Sequence, residues 1–250
     1  MSRRLLSVCF VLLLAVRSAG ADLLLAAASD QELKPLLERL EDARVERHAG
    51  WQFWVGTLAG RSVVLARTEG DPLNAVAATT LALRRHSPKR VLTFGSARAH
   101  DPGLRAGDVV LSREFAAFDG MVSPPREPGA GSTPLAWHKL AHPLMTAGEI
   151  ESREERFPAD PAPLAVAERL SGLRGRVVPG ILGSAHQVNR EADRVAYLRT
   201  QWGTSTEDGE SAHIAGCARL FGVPVFGLRV VDGQPGEAAR LVLQLLEGLK

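Results

Sequence analysis

The stretch Asp208-Gly209-Glu210-Ser211-Ala212-His213-Ile214-Ala215, followed by Val223-Pro224-Val225 and the apolar run into Arg229-Val230-Val231-Asp232, leads a helix into a strand that stops on an acid. The spacing predicts a helix over 209–221 and a strand over 224–231, buried on both faces because its apolar run is continuous rather than alternating. A helix over 235–248 follows.

The same grammar extends toward the N-terminus. Asp22-Leu23-Leu24-Leu25-Ala26-Ala27-Ala28 is a short apolar run ending at Ser29 and Asp30, a buried strand meeting a helix N-cap, and Leu33, Leu36, Leu37 and Leu40 keep helical spacing beyond it. Residues 51–57 and 62–67 predict a hairpin, with a helix from Asn74 to Arg85 capped by Asp71. Strands are expected over Arg90–Gly95, Asp108–Phe115 and 176–183, and helices over 164–172 and 190–199. A Pro-, Gly- and Ser-rich loop spans 121–134, too long for a mere connector and so expected to shape a site. Strands separated by helices imply an α/β fold: three layers, α/β/α, around a central mixed, mostly parallel sheet, with ligands at the strand ends.

Composition sets the class. The chain has 250 residues, 45% hydrophobic and 23% charged, with a net charge of +2, which excludes a disordered, collagenous or coiled-coil protein. Residues 1–21 carry Arg3 and Arg4, an apolar run from Leu5 to Val16, and Ala19-Gly20-Ala21, the three-part pattern of a secretory signal peptide. The run is about a dozen residues, too short to cross a ~30 Å hydrocarbon core, so no stable membrane anchor is expected. The expectation is a single domain over 22–250, exported to the periplasm or secreted. Removing Arg3, Arg4 and Arg17 leaves 27 basic side chains against 28 acidic ones, which withdraws the hint of nucleic-acid affinity. Of two cysteines, only Cys217 remains beyond the leader, too few for an internal disulfide.

Three acids stand at strand ends: Glu32, Glu210 and Asp232. Carboxylates from separate strands can converge on one cleft, where a desolvated one donates a proton while another stays ionised. That suits cleavage of a glycosidic bond through an oxocarbenium-like transition state. Ordinary helix capping explains any one acid alone. Two histidines four apart, His138 and His142, could share a helix face, but no third ligand pattern accompanies them, and neither a metal nor a cofactor is expected.

The order Ala28-Ser29-Asp30-Gln31-Glu32, Gly95-Ser96-Ala97, Asp208 to Ala215 and Val223 to Asp232 resembles the 5'-methylthioadenosine/S-adenosylhomocysteine nucleosidases, within the purine nucleoside phosphorylase superfamily. The resemblance implies a small-molecule nucleoside as partner, a homodimer, and roles for particular residues. Glu32 matches the glutamate that activates the attacking water, Glu210 the glutamate that binds the ribose hydroxyls, and Asp232 the acid that protonates the purine at N7. Ser96 matches the ribose-side loop, and Val188 a backbone contact to the base.

The departures are specific. Arg98 stands in place of a loop glycine and offers a bidentate donor to a phosphate or carboxylate. Gln187 replaces the base-stacking aromatic. Gly209 replaces a methionine of the sugar pocket, which predicts a wider pocket. Glu32 favours hydrolysis; Arg67 and Arg98 keep phosphorolysis open, and a non-catalytic nucleoside-binding protein is the rival of another class.

Overall fold

In the computed structural model, which describes residues 20–146 and 149–248, β1 (Leu23–Ala27) divides the interior. Successive side chains of a strand point to opposite faces. Leu23, Leu25 and Ala27 join one buried core with α1 (Asp30–Leu37) and α5 (Glu237–Gly248). Leu24 and Ala26 join the other with α2 (Pro72–His86) and α4 (Ser211–Leu220). One strand serves two cores, which is why its sequence is apolar at every position, and the result is the expected three layers.

β1 pairs in parallel with β4 (Arg61–Arg67) and β5 (Arg90–Ala99). Beyond β4 the sheet continues antiparallel through β3 (Trp51–Leu58) to β2 (Glu41–His48) at the edge. On the other side the strands close a ring. β14 (Val225–Val231) runs parallel to β5 and antiparallel to β6 (Val109–Ala117). β6 pairs with β12 (Val177–Ser184), β12 with β13 (Thr206–Asp208), and β13 returns antiparallel to β5. The sheet is mixed, as expected, but antiparallel joints carry more of it than an open layered sheet requires. Short hairpins pair β7 (Met121–Val122) with β8 (His138–Lys139) and β9 (His142–Thr146) with β10 (Glu149–Glu154), while β11 (Phe157–Pro158) borders β6. α3 (Ala192–Trp202) completes the elements.

Several expectations need correction. The strand expected to end at Gly95 runs on to Ala99, because β13 supplies partners for Arg98 and Ala99. The helix expected over 164–172 is a 3-10 segment, Ala162–Arg169. The helix expected from residue 209 begins at Ser211, leaving Gly209 and Glu210 at its mouth. β2 was invisible in the sequence because Glu41–His48 is an exposed edge strand with charges on both faces. His138 and His142 sit on two short strands rather than one helix face. The leader expected over 1–21 lies outside the described residues except for Gly20 and Ala21.

Caps hold the helices that point at the strand ends. The Ser29 hydroxyl accepts from the Glu32 N–H at 3.3 Å, and the Asp71 carboxylate accepts from the Asn74 N–H at 3.0 Å, with Pro72 opening α2. Losing such a cap costs about 1 kcal/mol. Asp71→Ala is therefore expected to lower the thermal unfolding midpoint by about 2–4 °C, read by calorimetry; no shift would assign the Asp71 side chain no capping role.

Candidate functional site

Where β1, β5, β13 and β14 end, two cavities adjoin: an outer one of about 530 Å³ and an inner recess of about 120 Å³, sharing Gly70, Ser96, Asp208 and Gly209. Seven of the residues singled out from the sequence line them. Arg98, Val188 and Asp232 face the outer cavity, Glu32 and Glu210 the recess, and Ser96 and Gly209 both.

Glu32 is held by backbone. Its Oε2 accepts from the Ala28 N–H and its Oε1 from the Ser96 N–H, both at 3.0 Å, so the carboxylate ties the end of β1 to β5. The closeness needs a glycine: a Cβ on Gly95 would sit 2.6 Å from Oε1. Two N–H donors orient an acceptor whose remaining lone pairs face the recess.

Behind it lies a fully buried cation. Arg229, 1% exposed, donates through Nε to Asp208 Oδ2 at 2.9 Å and through a terminal nitrogen to Thr93 Oγ1 at 3.0 Å, with Glu210 Oε1 at 3.5 Å. Burial works against ionisation of Asp208. The Arg229 guanidinium and hydrogen bonds from the Ser211 hydroxyl and the Ser211 and Glu210 backbone outweigh it and hold the carboxyl below its ordinary range. Glu210 fares differently. Burial pushes its pKa up to about 7, Arg229 and the Thr68 hydroxyl oppose the rise, and Asp208 and Glu32 add to it. One guanidinium does not serve Asp208 and Glu210 equally, and Asp208, with the shorter contact, keeps the charge.

Asp208 also builds the mouth of α4. Its Oδ1 accepts from the N–H groups of Glu210 and Ser211, each at 2.7 Å, so it caps the helix while pairing with Arg229. In the sequence Asp208 reads as an ordinary helix start, and neither Arg229 nor Thr68 stands out. The available signal was a lone arginine inside an otherwise apolar strand, since a charge there has to be paired.

The outer wall has its own buried network. Glu207, 5% exposed, accepts from the Asn189 backbone N–H at 3.0 Å and faces His100 Nε2 at 3.0 Å, while His100 Nδ1 meets Thr204 Oγ1 at 2.7 Å. It anchors the segment carrying Gln187 and Val188. Arg98 donates to the Asn189 carbonyl at 3.4 Å, its guanidinium lying over that segment. Asp232 follows β14 with a left-handed backbone, φ 44°, and its N–H donates to the Ala97 carbonyl at 2.9 Å. A non-glycine residue held there costs of order 1–3 kcal/mol, which the β5–β14 pairing sustains.

Two expectations about the pocket change. Gly209 does not widen it, because a Cβ there would lie 2.0 Å from the Gly70 carbonyl oxygen: the loop after β4 already fills that space. Arg67 lies outside it, since its guanidinium pairs with Asp30 and Glu69, each at 2.7 Å, and lines a separate cavity with Trp51 and Trp54.

Residues 22–245 match the family described as the phosphorylase superfamily. A 5'-methylthioadenosine/S-adenosylhomocysteine nucleosidase of Bacillus thuringiensis (strain Al Hakam) is 27% identical over 217 residues, covering 86% of each chain. Among solved structures, the corresponding nucleosidase of Streptococcus pneumoniae with a transition-state inhibitor superposes with a TM-score of 0.73 at 18% identity, covering 91% of this chain and 99% of that one. A futalosine hydrolase mutant of Helicobacter pylori gives 0.66 at 18% identity over 90% and 93%. With the matched region spanning every layer of the sheet and both cavities, the chain belongs to the phosphorylase superfamily, as a member similar to the 5'-methylthioadenosine/S-adenosylhomocysteine nucleosidases.

Proposed function

We propose that this protein is a nucleosidase that hydrolyses the N-glycosidic bond of a purine nucleoside of the methylthioadenosine or adenosylhomocysteine type, releasing base and sugar. The observation that carries the proposal is the inner recess, where the backbone-held Glu32 faces Glu210 and Arg229 with Asp232 on the adjoining wall. Asp232 gives its proton to N7 of the purine as the bond to ribose breaks and the electron pair leaves with the base. Glu32 takes a proton from the water that adds to the sugar carbon. Glu210 accepts from the ribose hydroxyls, Ser96 lines the ribose side, and the Val188 backbone meets the base.

Hydrolysis is favoured over phosphorolysis by charge. Free phosphate in the recess would meet Glu32, Asp208 and Glu210, with the nearby guanidinium already committed to Asp208. Arg67, the other cation that kept phosphorolysis open, is paired elsewhere. Arg98 stands at the outer cavity, where it suits an anionic group on the substrate. We further propose export by a leader over residues 1–21 and assembly as a homodimer, to be checked by fractionation with mass analysis of the product and by sedimentation.

Asp232→Asn is expected to lower base release by roughly 10²–10⁴-fold with the unfolding midpoint unchanged, in a panel of purine nucleosides with and without phosphate. Full turnover in that variant would remove Asp232 from the mechanism, and dependence on phosphate would replace hydrolysis by phosphorolysis.

Glu210 generates a pH prediction. Only its ionised form is a pure acceptor for a diol, so kcat/KM is expected to fall as pH drops below about 7, and Glu210→Gln to flatten that limb at a low level. Stability runs the other way. A carboxyl whose pKa is raised on folding contributes stability that is complete below its unfolded value of 4.5 and is lost as pH rises through about 7. Denaturant unfolding of wild type against Glu210→Gln should show this slope in the wild type alone; parallel curves from pH 5 to 8 would show that Glu210 does not titrate there.

A further inference from the structure

At the sheet edge formed by β2, Glu46 and His48 stand two apart, so both side chains project from one face of the strand. That face meets His86, the last residue of α2. Each of the three offers one ligand atom, and the three atoms lie within 4.8 Å of one another.

The spacing within the cluster is informative. Glu46 Oε2 lies 3.4 Å from His48 Nε2 and 3.6 Å from His86 Nε2. The second distance is beyond a useful hydrogen bond, and His86 Nε2 is a buried nitrogen with no hydrogen-bond partner, on a side chain only 10% exposed. A buried ring nitrogen left unpaired is costly unless something else fills its place. Two donors that each bind an ion at ~2.1 Å with tetrahedral angles stand about 3.4 Å apart, close to both separations.

The surroundings hold the three groups in position. Arg44 Nε donates to Glu46 Oε1 at 2.9 Å, so Oε2 is the oxygen turned to the imidazoles, with His48 Nε2 at 3.4 Å. The Phe53 ring, fully buried, packs against both imidazoles, with centroids 6.0 and 6.1 Å away. The site is partly open, with Glu46 28% and His48 20% exposed, so an ion can enter and a water can complete its shell.

We propose that Glu46, His48 and His86 bind one divalent transition-metal ion, with two imidazoles and a carboxylate oxygen as ligands. Such a borderline donor set suits Zn²⁺ better than Mg²⁺ or Ca²⁺, which take oxygen ligands. The ion staples an edge strand, paired among the described residues only with β3, to the end of α2. His86 ends α2 while Gly70, just before its start, lines both cavities; none of the three ligands lines either, and the ion takes no part in glycosidic cleavage.

Chelator-stripped full-length protein would be titrated with Zn²⁺ against a chromogenic competitor, and with Co²⁺ to record ligand-field bands. The expected result is one Zn²⁺ per chain with a dissociation constant below about 10 μM, weakened at least tenfold in His48→Gln and in His86→Gln. Zn²⁺ should also raise the unfolding midpoint of the wild type but of neither variant. Base release, expected to be unchanged, reports that each variant is folded; the more exposed Glu46→Gln replaces any variant that is not. Weaker binding by the wild type, or equal affinity in the folded variants, would overturn the proposal.

Discussion

A guanidinium buried in the middle of a sheet has to be neutralised where it stands, and the cleft of this protein is organised by how Arg229 meets that requirement. Asp208 takes the short contact, and in doing so caps α4 and fixes the turn that presents Glu210. Taking either partner away would strand a charge in the interior, at a cost of several kcal/mol, so the pair is not a dispensable ornament of the site. Burial raises the Glu210 carboxyl, and what remains of the cation's field opposes that rise, leaving its pKa at about 7.

Close backbone approaches shape the rest of the site. Glu32 lies against β5 because Gly95 has no Cβ, and two N–H groups orient it without another side chain. At Gly209 the same absence lets the Gly70 carbonyl in, so a missing side chain leaves the pocket no larger. A substitution read as loss of bulk can be compensated by the movement of a loop, because protein interiors are close-packed and neighbouring backbone occupies what a side chain vacates. The wall around Val188 is likewise set from behind, by the buried pairing of Glu207 with Asn189 and His100.

Much of this was legible along the chain. The continuous apolar runs at 22–28 and 223–231 announce strands buried on both faces, and Ser29 and Asp71 mark helix starts that the structure contains. Glu32, Glu210 and Asp232 were visible as acids at strand ends, and they line adjoining cavities. The polar edge strand β2 was not legible, because an exposed strand has no buried face to impose alternation. The 3-10 segment at 162–169 escaped for a related reason, its apolar spacing fitting a helix of either kind.

The sequence by itself determined the layered α/β plan and the chemical types of the groups at the strand ends, since burial periodicity and residue identity are local properties. Only the tertiary structure decided which acid keeps its charge, which cation belongs to the site, and whether Gly209 opens space. Those outcomes depend on distances between residues far apart in the chain: Arg229 closer to Asp208 than to Glu210, Arg67 to Asp30 rather than to a ligand, and the carbonyl of Gly70 to a Cβ that is absent. Coulomb energies and packing act through space, so they come into being only when the chain has closed around them.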